Sequence, residues 1–401
     1  MNADWQRTGF LLLGTVVGYG LLMRFNPVRP SLRDGWRCLR RYPQIWLLPT
    51  ACNVAHALYG LGMRWLESRA VPGAPPLFRT PDAWQPPPWR EVLTSSLLPA
   101  FEGAAAPFNC LTTVYPLSAL VAVLFFLNWG GYHTLVRGAL VRRLGLWMGA
   151  LVYAGLTVCA AAALCKPVFF GGLTRLNAFF GAVALVRTGE IINWASFVFE
   201  YVAGVGLQIY LVLLCFAWVR GLSFHFDSLR RFALRRFAFV VRWALVMIGL
   251  SSLGINLPLV ADAFAQRGQT IEGAWVGAAV WFSRWLLAVV ALLFCSMQIT
   301  LIFHNESLRQ ATLDHVTLLR RHGERVGWLV VTAGLHFLLL VGVNAFLLRA
   351  LGEQSWPAAV WSVLFYPVCW TALAAWLLAS WVCLFRRCEI GKPDVEELVV
   401  F

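Results

Sequence analysis

Three histidines stand at matched places in this chain. His133, His225 and His304 each stand at the start of a similar connecting segment: YHTLVRGALVRR at 132–143, FHFDSLRRFALRR at 224–236 and FHNESLRQATL at 303–313. Three imidazoles gathered on one axis could hold a metal ion or titrate near neutral pH. The competing explanation is that His, with an apolar body and a polar tip, suits a wet boundary. We prefer it, and assign no metal and no cofactor.

Two charges pose a sharper problem. Glu200 and Arg284 each lie deep inside a long apolar run. A lone charge at mid-membrane costs roughly 2.5–3.5 kcal/mol on insertion scales, so each needs a partner or water. Counted at ~1.5 Å per residue, both lie about 15 Å from the same edge. The expectation is that they pair with each other. Glu200, Gly204 and Gln208 also share a helix face, a small and polar stripe suited to a helix contact or a cavity wall. Asn53 and His56 share a face in another run, and His336 and Asn344 sit in a further one. Groups of this kind usually join helices by hydrogen bonds, and some mark function.

Reaction motifs are missing from the sequence. It has no H-E-x-x-H, no Walker loop and no G-x-S-x-G. An intramembrane aspartyl protease needs two Asp in apolar runs, and Asp262 at a run's end has no second. The ten Cys form no C-x-x-C pair and lie mostly in apolar stretches, where they act as small hydrophobes. Catalysis is therefore not expected.

The elements that carry these residues follow from composition. Of 401 residues 59% are hydrophobic and 13% charged, against about 25% charged in a soluble domain. Lipid is the natural solvent for such a chain. The 20 Trp fit membrane interfaces. Nine apolar runs read as spanning helices: Trp5–Met23, Tyr42–Leu66, Thr113–Tyr132, Leu144–Cys165, Ile191–Val219, Ala238–Ala261, Ala274–Ile302, Val326–Leu348 and Trp356–Phe385. The fold class is all-α, a polytopic transmembrane helical bundle.

The net charge of +14 is mostly Arg in short blocks between runs. A nucleic-acid binder would need a folded basic surface outside the bilayer, so nucleic acid is not a partner. About two thirds of the 33 Lys and Arg fall in segments 24–41, 133–143, 220–242, 303–325 and 386–401. By the positive-inside rule those segments are cytoplasmic, with the N-terminus outside and the C-terminus inside a cell (inner) membrane. The first run lacks an A-x-A site and is followed by Arg24 and Arg29, so it reads as a retained helix.

Residues 1–385 form a single membrane domain, and 386–401 a short cytoplasmic tail. The outer loop 67–112 is Pro-rich. Within it PPPWREVLTSSLL starts a helix expected to lie on the outer surface through Trp89, Val92, Leu93 and Leu97. Phe169–Val186 is too apolar for an ordinary loop and reads as re-entrant or interfacial.

A repeat organises the rest. PSLRDGWRCLRR at 30–41 joins the three histidine-led segments, and S-L-R occurs in three of the four. Ser31, Asp227 or Ser228, and Asn305 or Ser307 are placed to cap an amphipathic helix at the inner interface. Arg there would reach anionic headgroups. Four units of span, interfacial helix and returning span, plus a ninth span, account for the chain.

These S-L-R helices and their run order resemble the polytopic membrane domain attached to some bacterial glycerophosphodiester phosphodiesterases, and related polytopic bacterial proteins. The phosphodiesterase barrel, with its carboxylate and His cluster, has no counterpart here, so the resemblance implies no enzymatic activity. The expected role is a non-catalytic scaffold or accessory subunit, in contact with membrane lipids and other membrane subunits. The alternative is a transporter or channel for a small solute or lipid, with Glu200 and Arg284 in the pathway. A weaker one is a lipid-modifying enzyme at the inner interface.

Overall fold

The computed structural model describes residues 14, 17–70, 89–105, 138, 141–142, 145–180, 182–221, 273–293, 295–303, 308–352 and 355–388. Every regular element among them is helical. We number them α1 (17–25), α2 (Arg29–Arg41), α3 (Gln44–Ala70), α4 (Trp89–Ala105), α5 (Leu146–Phe180), α6 (Ala182–Arg220), α7 (Gly273–Leu293), α8 (Cys295–Phe303), α9 (Leu308–Leu351) and α10 (Trp356–Cys388). Three described stretches are long and apolar enough to cross a membrane: Leu146–Leu164, Leu308–Leu351 and Trp356–Cys388. The runs Thr113–Tyr132 and Ala238–Ala261, and most of Trp5–Met23, lie outside the described residues.

Local chemistry sets the helix ends. The Asn26 carboxamide oxygen accepts from the Val28 N–H at 2.9 Å, and Pro30 occupies the first turn of α2. Ser31, expected to cap this helix, is instead buried inside its first turn. A residue already in helical geometry cannot cap, and Asn26 turns the chain ahead of it. Arg40 and Arg41 favour the dipole at the other end, and Pro43 stops the helix.

α9 bends at His322 (φ −133°, ψ 23°), which divides an Arg-bearing first segment from the apolar span. Gly352 (φ +79°) ends it in a conformation that favours glycine. Ser355 then caps α10 through the Ala358 N–H, with Pro357 in the first turn. Pro367 lacks an N–H and crowds the turn before it, and α10 widens there into a π turn at Trp361–Phe365.

The core lies at the Cys388 end of α10, where Leu377, Ala379, Trp381 and Val382 are all within 1% of full burial. A helix buried on every side must be enclosed by others. Here α2, α6, α8 and α9 enclose it, through residues such as Leu39, Leu213, Ile302 and Leu318. Gly35 lies so close to Ser380 that a Cβ would meet its backbone nitrogen at 2.8 Å. Trp376 Nε1 donates to the Leu32 carbonyl at 2.9 Å, and Arg387 pairs with Asp34 at 2.5 Å. These contacts fix α2 along α10.

One expectation is corrected. α4 forms, but its buried side is Val92, Ser96, Ala100 and Gly103, while Leu93 and Leu97 are exposed. It packs against α9 and α7. Small residues let helices approach, so the side poorest in large apolar groups became the contact. The segment Phe169–Val186, expected to be re-entrant or interfacial, is helical. Apart from residue 181, α5 and α6 run through it as helix.

Candidate functional site

The candidate site is the set of polar side chains within the apolar helices. Arg284 on α7 makes a two-pronged contact with Glu102 on α4, Nε to Oε1 and Nη2 to Oε2, both at 2.6 Å. A flat guanidinium matched to a carboxylate in this way gives the strongest ion-pair geometry available. The residues beside Glu102 fix it there. The Phe101 ring packs on Trp285 with centroids 4.8 Å apart. At Gly103 a Cβ would stand 2.4 Å from the Phe337 ring and 2.8 Å from that of Trp370. The pair is not sealed: the two side chains are 51% and 33% exposed.

Arg284 therefore does not take the expected partner. Glu200 on α6 accepts from Ser196 Oγ one turn earlier, at 2.7 Å. Depth along the helices suggested Glu200, but α4 brings a nearer carboxylate. Glu102 lies in a segment whose sequence reads as outer loop, so depth along the apolar runs does not point to it. The signal available was a lone carboxylate among small residues, PAFEGAAA.

The stripe below Glu200 is a helix contact. Gly204 and Gln208 are buried, and the Gln208 amide donates to Gln298 Oε1 of α8. Gln298 drew no attention in the sequence because it sits in an otherwise apolar run. Asn344 accepts from Trp361 Nε1 at 2.8 Å, joining α9 to α10. Thr50 of α3 and Thr371 of α10 share a 2.5 Å hydrogen bond.

His336 lies between α1 and α10. Its Nδ1 is 2.7 Å from the Thr332 carbonyl, and its Nε2 is 2.7 Å from the Tyr19 hydroxyl. A carbonyl can only accept, so Nδ1 carries the proton and neutral Nε2 accepts from Tyr19. Trp376 closes the other side, edge-on at 4.9 Å. Asn26 extends this network by donating to Thr332 Oγ1 at 2.8 Å.

Asn53 is buried, while the side chain of His56 falls outside the described residues. His133, His225 and His304 lie outside them too, so their convergence is not addressed. Among the described residues no three His, Cys, Asp or Glu are arranged to hold a metal ion. Cys38, Cys215 and Cys383, from three different helices, are neighbours in the core as free, buried thiols. Sequence spacing gave no sign of that meeting.

The chain matches no family model, no curated protein and no solved structure.

Proposed function

We propose that this is a multi-pass protein of the cell membrane with an architectural role, a scaffold or accessory subunit and not an enzyme. One observation carries the reading. Polar side chains from different elements, most of them far apart in sequence, are used on one another. Gln208 binds Gln298, Thr50 meets Thr371, Asn26 binds Thr332, His336 meets Tyr19, and Asn344 binds Trp361. Each such pair ties two helices, or in the case of Asn26 the α1–α2 turn and a helix, at one height, which fixes a rigid shape. Catalysis would instead need a base, a nucleophile or charge-stabilising donors aimed at one point.

In this reading the chain crosses nine times, starting outside and ending in the cytoplasm, with the α2-like segment recurring four times. Single cysteines at Ala74 and Arg387, in a background without reactive thiols, test the topology with an impermeant maleimide on intact cells. Ala74 should label from outside and Arg387 only after permeabilisation. The reverse pattern overturns the orientation. Extraction in native-lipid particles tests the role. A scaffold should be recovered with a second membrane polypeptide in fixed ratio. A solitary monomer at every expression level would defeat the assignment.

A transport reading has one observation in its favour, the half-exposed Glu102–Arg284 pair inside apolar helices. Charges so placed are drawn toward water. Solute flux into proteoliposomes that is abolished by Glu102→Gln, with folding intact, would move the assignment to transport.

A further inference from the structure

We propose that the outer face of α2 is a binding site for the headgroup of an anionic phospholipid. The inference rests on the membrane placement proposed above and adds a named site to it. At about 100° per residue, Arg29, Arg33, Trp36 and Arg40 fall within a sector of about 60°. All four are exposed, and Trp36 is half exposed, with the Arg40 guanidinium over its ring at 5.6 Å. Leu32, Gly35, Cys38 and Leu39 are buried on the other side of the helix. The stripe is about 16 Å long at ~1.5 Å per residue. Asp34 is the acid within α2, and its carboxylate is occupied by Arg387 at 2.5 Å and Arg37 at 3.4 Å. The stripe's positive charge is therefore left uncompensated on α2.

What places this charge at headgroup depth is the helix before it. On α1, Val17, Leu21 and Phe25 lie at i, i+4 and i+8 and are 54%, 52% and 71% exposed. Large apolar groups in a row, facing away from the protein, belong against hydrocarbon. Arg24 lies in the last turn of that row, and Arg29, Arg33 and Arg40 follow where it ends. A Trp held among Arg at this boundary is the side-chain pairing that favours the headgroup layer over open water. Guanidinium groups bind phosphate through paired N–H donors, and anionic lipids collect such clusters. An acidic protein surface would satisfy the Arg but gives no account of the apolar row.

The test uses the full chain in mild detergent, titrated with phosphatidylglycerol or phosphatidylcholine and read by native mass spectrometry. The wild type should retain phosphatidylglycerol in preference. The triple variant Arg29→Gln, Arg33→Gln, Arg40→Gln should lose affinity on the order of a hundredfold. Arg69→Gln, on an exposed residue of α3, should change nothing. Should the triple variant fold poorly, Arg33→Gln alone should weaken binding about fivefold. Wild-type affinity in the triple or single variant overturns the site, as does equal binding of phosphatidylcholine. Displacement of the lipid by millimolar inorganic phosphate also overturns it, in favour of a soluble anion. Resistance of the chain to alkaline carbonate washing checks membrane placement separately, so the two claims fail by different readouts.

Discussion

Two helices of similar hydropathy have opposite surroundings. The apolar window of Trp356–Cys388 has a mean hydropathy of 1.9 and is 61% buried, whereas that of Leu146–Leu164 has 1.7 and is 17% buried. Along α10, small residues such as Ala375, Ala379 and Ser380 let α2 and the other core helices close in. Along α5, Trp147 at 86% and Leu151 at 71% exposure face outward, and the packed patch of Ala160, Ala163 and Phe199 is small. Hydropathy says that water is excluded. It does not say whether protein or lipid excludes it, and the size of the side chains decides that.

The contrast is testable, most strongly at its two tryptophans. Trp381→Ala removes a side chain that is 1% exposed and should cost about 3–5 kcal/mol by thermal unfolding in detergent. Trp147→Ala should stay within about 0.5 kcal/mol. Equal effects would erase the distinction. Two glycines repeat the comparison at lower amplitude. Gly35→Ala drives a methyl into Ser380 and should destabilise by about 1–3 kcal/mol. Gly155→Ala meets nothing within 4 Å and should be neutral or stabilising by up to about 1 kcal/mol.

The polar pairs sharpen it further. Gln208→Leu withdraws the partner that Gln298 has on α6 and should cost about 1–3 kcal/mol, much of it recovered when Gln298→Leu is added. Among the polar pairs the smallest effect is expected at the ion pair, because both side chains are partly exposed. Glu102→Gln and Arg284→Gln should couple by about 1 kcal/mol in a double-mutant cycle. Glu200→Gln and Arg284→Gln should add without coupling. Coupling in the second cycle and none in the first would restore the pairing expected from sequence.

What the sequence made legible follows the same division. The last apolar run and a basic helix at 31–41, found at Arg29–Arg41, were readable, because long apolar runs and Arg blocks state their solvent directly, whereas the bend of α9 at His322 was not. Gln208 and Asn344 stand out in the sequence as polar residues in apolar runs, suited to a helix contact or a cavity wall, and each bonds a residue of a neighbouring helix. Contacts made by small residues were not readable. The Ser96, Ala100 and Gly103 side of α4 looks featureless beside Leu93 and Leu97, yet it is the side that packs. That error carried Glu102 out of view and left Arg284 matched to the wrong carboxylate. The cap assigned to Ser31 failed because helix α2 begins two residues earlier, at Arg29.

The π turn of α10 sets a rotational phase. It spends one residue more than an α-helical path would, so everything before Trp361 is turned by about 100° relative to everything after Phe365. The phase brings the Trp361 indole round to Asn344 on α9, while Trp381 on the same rod points into the core. Deleting one residue at 361–365 would leave hydropathy and length almost unchanged, yet it would swing the first turn of α10 away from its neighbour. The two ends of this helix are thus keyed to different partners by a single inserted residue.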